Sequence, residues 1–331
     1  MKRREFVALL GSAVITSPIA ARAQQSVKPF RIGFFPLGSS ANPYDQSLVD
    51  AFRRGLRQIG LVENRDIAIE ITWIGRDDPG MPIAKAIQSG VDLLVPCGSS
   101  ASAAAKRLTA SIPIVFISVG NPVGMGLVRN LPKPGFNVTG FGDGLGEISG
   151  KLIDFSTELL KPGFQATDSV DYMWYSNWPD GQQRLSDTQE AARSAGVHLR
   201  SHDVSEKGDV NEVLATIKSM SGTTMIVQPS PFTYGLREQI IAMATKLGIA
   251  SIFAFPIAAR EGALMAYGPD YVSLYQKAPL YVDRIMRGTN AGDLPVELPT
   301  RIVLLVNLST AKALKREIPL PVLIRADELI E

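Results

Sequence analysis

A single cysteine, Cys97, stands in 331 residues, which excludes an internal disulfide and any cysteine-built metal site. Histidine is almost as scarce, with only His198 and His202. A spacing of four would put both on one helix face, as zinc ligands often are. However, Val197-His198-Leu199-Arg200-Ser201-His202 reads as a strand, no Glu follows His198 and no third ligand is evident, so the pair belongs to a solvated strand face. Neither a Gly-x-Ser-x-Gly elbow nor a P-loop occurs. Gly140 and Gly142 begin a dinucleotide-like pattern that fails at Leu145. A paired-carboxylate pattern is missing as well, and Cys97, at the end of an apolar stretch with neither histidine placed to serve it, reads as packing. No metal and no cofactor is called for.

Charge of one sign is also lacking: 34 basic residues face 32 acidic ones, for a net charge of +2. Even that excess sits at the start of the chain. Lys2-Arg3-Arg4 is a basic head, Phe6 to Ile15 is mainly apolar and Ala21-Arg22-Ala23 supplies a small–x–small cleavage pattern. Residues 1–23 therefore read as a secretory signal, whose apolar part is too short to span a bilayer. Arg3-Arg4-Glu5-Phe6 resembles the twin-arginine export signal. Cleavage after Ala23 removes four basic residues and one acidic one, leaving the mature chain at −1. Such a chain has no excess charge for nucleic acid. Gln24 stands where a lipoprotein would need cysteine. The expectation is a soluble periplasmic protein without membrane insertion.

What remains is large enough to bury two cores. Residues 91–122 form its clearest unit. Val91 to Val95 is an apolar run of the kind that parallel strands show when both faces are covered. The chain turns at Pro96-Cys97-Gly98, Ser99 and Ser100 can cap the alanine-rich helix that follows, and Ile112 to Ile117 supplies a second buried strand. Open α/β sheets bind ligands beyond the carboxyl ends of their strands, where Gly98–Ala101 and Ser118–Asn121 both fall. Free amide hydrogens at the helix start would face an anionic or polar ligand; equally, the serines would serve as caps alone.

Before this unit, residues 30–36, 44–60, 66–73 and 81–89 read as strand, helix, strand and helix. Residues 120–146, rich in Gly and Pro, read as a loop-rich crossover between domains. From Glu147 a second strand–helix series runs to Tyr267. A helix over 270–289, a polar stretch to Pro299, a strand over 301–306 and a short helix over 309–315 complete the chain. The fold class is α/β: two doubly wound parallel-sheet lobes joined by a hinge, closing on a ligand in the cleft. Trp174, Tyr175 and Trp178 crowd one strand end of the second lobe, and Phe232 and Tyr234 follow another. These aromatics lean toward a pocket wall for a ligand part apolar and part anionic.

Several stretches resemble a known family: Arg3-Arg4-Glu5-Phe6 with Ala21-Arg22-Ala23-Gln24-Gln25, Ser111-Ile112-Pro113-Ile114-Val115-Phe116, Pro122-Val123-Gly124, Leu127-Val128 and Pro134-Gly135. So do Asn137-Val138-Thr139-Gly140, Tyr267-Gly268, Asp293-Leu294-Pro295-Val296-Glu297, and the ending from Asn307-Leu308 through Thr310-Ala311-Lys312-Ala313-Leu314 to Arg325-Ala326-Asp327-Glu328. They are similar to the ABC transporter substrate-binding proteins of the tryptophan-binding (TrpX-like) type, with the type I periplasmic binding protein fold. The resemblance implies a non-enzymatic receptor that hands a solute to an ABC permease in the inner membrane, and known members favour aromatic amino acids. The family often has Asp where Asn121 stands, which leaves a neutral group where a ligand ammonium would meet a charge.

The division expected is a first lobe of residues 29–141 plus 270–297 and a second of 142–269 plus 298–331. Candidate ligand contacts are Ser39, Ser40, Gly98, Ser99, Ser100, Ala101, Gly120, Asn121, Trp174, Asn177, Ser230 and Phe232. The ligand expected is an aromatic or apolar carboxylate, amino acids included. Two alternatives stay open: an exported α/β enzyme acting on a small carboxylate, with Asp143, Cys97 and Glu261 as loose candidates, and a ligand sensor docking to a membrane kinase.

Overall fold

The computed structural model describes residues 28–74, 78–144, 148–160, 169–205 and 209–331; the export signal expected over residues 1–23 lies outside them. Strands β1 (Phe30–Phe35), β2 (Ile67–Ile71), β3 (Leu93–Pro96), β4 (Ile114–Val119) and β5 (Val138–Gly142) make one parallel sheet, ordered β2-β1-β3-β4-β5. Helices α1 (Pro43–Gln58), α2 (Gly80–Ser89) and α3 (Ser99–Leu108) connect its first four strands. α1 starts where it does because Asn42 accepts hydrogen bonds from the amides of Tyr44 and Asp45 and Pro43 fixes the first φ. Its buried Leu48, Val49, Phe52 and Leu56 recur at helical spacing, and Phe52 stacks on Phe34 of β1 with ring centres 4.5 Å apart.

A second sheet has seven strands: β6 (Ser169–Trp174), β7 (His198–Asp203), β8 (Thr224–Val227), β9 (Ala250–Phe253), β10 (Met265–Pro269), β11 (Ile302–Asn307) and β12 (Glu328–Ile330). Their order is β12-β11-β10-β9-β8-β6-β7. Around it run α4 (Ser149–Leu160), α5 (Gly181–Ser194), α6 (Asp209–Ser219), α7 (Pro231–Gly235), α8 (Arg237–Leu247), α9 (Pro256–Arg260), α12 (Leu308–Ala313) and α13 (Leu320–Arg325). The two helices between β10 and β11, α10 (Tyr271–Lys277) and α11 (Pro279–Met286), belong elsewhere. They pack on α1, and the chain after them lies along β5, with the Gly142 amide donating to the Glu297 carbonyl at 2.8 Å. The backbone therefore passes between the sheets three times.

Three readings of the sequence need correction. Residues 138–142 were expected inside a crossover loop, yet they form β5, because their glycines serve close backbone approach rather than turning. The helix expected over 270–289 is broken in two at Pro279, whose ring cannot continue the α10 hydrogen-bond ladder. The second sheet is not wholly parallel: β11 runs antiparallel to β10.

Both sheets carry a topological switch point. In the first, β2 and β3 flank β1; in the second, β7 and β8 flank β6. In open α/β sheets ligand crevices lie just beyond the carboxyl ends of the strands at such points. The strand ends there lead to Leu37 and Cys97 in one lobe, and to Tyr175 and Gln228 in the other.

Candidate functional site

The two switch points face each other. Leu37, Cys97, Ser100 and Ala101 from the first lobe share a chamber of about 160 Å³ with Tyr175, Asn177, Pro231 and Phe232 from the second. On the second lobe's wall Tyr175 and Phe232 stack with centres 4.4 Å apart. Next to it a tighter space of about 20 Å³ is walled by Tyr44, Tyr234, Tyr271, Tyr275 and Phe255, with Gly98 and Ser118 at the strand ends. A third, more polar chamber of about 280 Å³ holds Ser39, Asn42, Asp45, Arg237 and Glu238. All three share Leu37 and form one seam between the lobes. Ser118 adopts φ 62 where β4 shifts register, a left-handed backbone that a non-glycine residue holds only under constraint.

The sequence does not say whether the lobes stand open or shut. One continuous buried cluster runs from Phe34 and Val95 through Tyr234, Phe255 and Tyr275 to Val227 and Phe253, so the lobes are shut on each other. Polar bonds hold them. The Tyr234 hydroxyl donates to Asp45 Oδ1, and Arg237 stands 3.6 Å from the same carboxylate while making two hydrogen bonds to Glu261, at 2.7 and 2.9 Å. Asn42 donates across the seam to Glu238 at 3.0 Å. Asp45 is 1 % exposed; burial raises its pKa against the pull of hydrogen bonds from Tyr234 and Ser39. Burial, reinforced by the Asp45 charge, likewise pushes Tyr234 well up, keeping it a neutral donor.

The expected contacts divide. Gly98, Ser100, Ala101, Asn177, Ser39 and Phe232 all line the seam. The serine-capped helix start is not found: Gly98, at φ 83, is the N-cap of α3 and no side chain caps it. Ser99 is the first helical residue, buried, with its hydroxyl unpartnered. Ser40 is exposed on the first loop, where its carbonyl accepts from Gln46. Ser230 is committed to a capping box at α7. Asn121 spends its carbonyl on the Gly124 amide at 2.8 Å, forming a turn. Trp174 packs against the second lobe's other buried cluster, which holds Tyr172 and Ile226, because alternation along β6 sends it to the face opposite Met173; Tyr175, one residue on, takes the seam. Gly120 lies against Arg184 of α5.

Of the loose candidates for an exported enzyme, both carboxylates lie against arginines. Glu261 pairs with Arg237 and Asp143 lies 3.7 Å from Arg184. His198 is exposed, whereas His202, expected on a solvated face, is half-buried and bonds the buried Asp171 at 2.8 Å. Among the described residues no cluster of His, Cys, Asp and Glu is arranged to hold a metal, and no helix is long and apolar enough to cross a membrane. Burial pushes the Cys97 thiol up to about 12. Native protein at pH 7.5 is therefore expected to resist iodoacetamide and to take up one equivalent after denaturation, read by intact mass. Fast labelling of the folded protein would show that the seam opens freely.

The site residues the sequence did not announce are Tyr44, Asp45, Tyr271, Tyr275, Arg184 and Arg237. Their partners lie far off in the chain, 189 positions for Asp45 and Tyr234, and no local spacing signals them.

Comparison with known proteins now adds to this geometry. The chain is 25% identical over 271 residues to a tyrosine-binding protein of Clostridioides difficile (strain R20291), covering 80% of this chain and 75% of that one. It superposes on a conserved domain protein from Vibrio cholerae with TM-score 0.83 at 21% identity, covering 91% of this chain and all of the other. An ABC domain from Streptococcus pneumoniae in complex with L-Trp gives TM-score 0.82 at 18% identity, with the same coverage. These likenesses agree with the type I periplasmic binding protein fold. A family model described as "ABC transporter substrate binding protein" matches residues 45–330.

Proposed function

The chain belongs to the ABC transporter substrate-binding protein family, and from that membership we propose that it is the periplasmic receptor of an importer, exported through its N-terminal signal and closing on a small organic molecule between its lobes. The ligand is an aromatic or apolar carboxylate, with aromatic amino acids first. One observation carries the reading: both switch points open onto a single seam whose walls are aromatic on both sides, with Tyr44 and Tyr275 opposite Tyr234 and Phe255. Rings supply large apolar area and a π-face to an aromatic guest. The tyrosine- and tryptophan-binding relatives support the same class. On this reading residues 29–141 with 270–297 close against 142–269 with 298–331, and the loaded form docks on an ABC permease.

The test is a thermal-shift panel of aromatic amino acids, aromatic acids and aliphatic acids. A ligand present at a hundred times its Kd adds about 2.7 kcal/mol to the folded state, which raises Tm by about 5–10 °C. A panel that leaves Tm unmoved throughout contradicts the receptor.

A further inference from the structure

Among the described residues that line the tyrosine-walled space, none is charged. A carboxylate or an ammonium would lose its water there without meeting a counter-charge, so the head group of a guest belongs elsewhere in the seam and this space suits a ring. The wall is still not wholly apolar. The Tyr234 hydroxyl is spent on Asp45, that of Tyr275 meets the Cys97 thiol, and Tyr44 is only half-buried. Tyr271 and Ser118 remain. Tyr271 opens α10 and is 6 % exposed, with its ring centre 5.9 Å from that of Phe255. Ser118 is the extra residue where β4 shifts register between Ile117 and Val119, and such a bulge re-aims the side chain it carries. Its left-handed backbone is of the kind that gathers at ligand sites, where surrounding structure holds the strain in place.

Burial, with the Asp143 charge, pushes the Tyr271 pKa well above the usual phenol value; a lesser pull downward comes from Ser118, whose hydroxyl it meets without full hydrogen-bond geometry. Tyr271 is therefore a neutral donor. Two hydroxyls carry two protons, and a bond between them uses only one. Buried polar groups in folded proteins are almost always paired, so the other proton is left for a guest. We infer that the Tyr271–Ser118 pair recognises a hydroxyl on the ligand's ring, so that the receptor takes phenolic carboxylates ahead of their unsubstituted counterparts. The inference rests on the receptor reading above and names the ligand's far end. A phenol accepts the spare proton and donates its own to the second oxygen, closing a cycle of three hydroxyls that strengthen one another. An unsubstituted ring leaves that proton bare once the lobes shut, and an indole N–H, which only donates, leaves it bare as well. Sites built to bond a hydroxyl reject guests without one, because their own polar groups are then stranded.

Calorimetry with L-tyrosine and L-phenylalanine, which differ by that one oxygen, reads the pair directly. Wild type is expected to bind L-tyrosine at least about tenfold more tightly. Tyr271→Phe should weaken L-tyrosine by about tenfold and leave L-phenylalanine unchanged or tighter, because the stranded hydroxyl is gone. Loss of a merely structural tyrosine would weaken both alike. Ser118→Ala keeps the left-handed backbone and should narrow the preference to within about threefold. A wild type without the tenfold preference, or a Y271F or S118A protein that keeps it, overturns the assignment. So does a wild type that ignores both amino acids while the thermal-shift panel finds another ligand. A silent panel removes the receptor reading itself, and the assignment with it.

Discussion

Alanine at position 140 is expected to destabilise the protein by about 4 kcal/mol, more than overpacking usually costs, because the obstruction is backbone. Gly140 sits in β5 opposite Phe116 of β4. Its φ is +150, and a Cβ there would stand 2.1 Å from the Phe116 carbonyl oxygen and 2.6 Å from the Phe116 nitrogen. Neither atom can rotate away as a side chain would. The strained φ adds roughly 1–3 kcal/mol of its own. On its other side Gly140 accepts a hydrogen bond from the Glu297 amide at 3.1 Å, so movement of β5 also disturbs the returning segment. Thermal unfolding should show a fall in Tm of about 10 °C or more. A G140A protein within about 1 kcal/mol of wild type, the size of an ordinary surface change, would show that β5 is not held against β4 as described.

The second large effect concerns closure. Replacing Asp45 with alanine removes the acceptor for the Tyr234 hydroxyl and for the Ser39 amide, which donates at 2.8 Å, and leaves Arg237 with Glu261 alone. Breaking a buried charged pair from one side costs about 3 kcal/mol, equivalent to a shift of roughly 150-fold between shut and parted lobes. Small-angle scattering of ligand-free D45A should report a larger radius of gyration than wild type. The pH dependence has a definite sign. Burial raises the Asp45 pKa in the shut form, so shutting takes up a proton. Its contribution is greatest below the ordinary carboxylate value and is lost as pH rises through the raised one. Asp45→Asn keeps an acceptor for Tyr234 without the charge, so compaction of D45N should lose this slope. An unchanged radius for D45A together with an unchanged slope for D45N would remove Asp45 as the clasp.

Buried parallel strands were legible because they lose polar alternation: Leu93–Pro96 and Ile114–Val119 announce themselves as unbroken apolar runs. β5 was hidden for the opposite reason. Its glycines have the composition of a turn, and only the approach of Phe116 shows that they are there for want of a side chain. The short helices α7 and α9, five residues each, have too few turns to show periodicity. Within the site, the strand-end loops could be read because α/β topology fixes where ligands sit. The choice between Trp174 and Tyr175 could not, because it turns on the parity of a single residue along β6. Asp45, Tyr234 and Arg237 carry no local signal at all; Asp45 reads as one more acid in a helix's first turn until α7 and α8 are laid against it.

The filled seam has a kinetic corollary. A guest does not enter a waiting hole: it must displace rings that already satisfy one another, so the protein is its own first competitor. Molecules too small or too polar to outbid those rings are turned away without any clash being built against them, and measured affinity is the intrinsic grip reduced by the fraction of time the seam stands ajar.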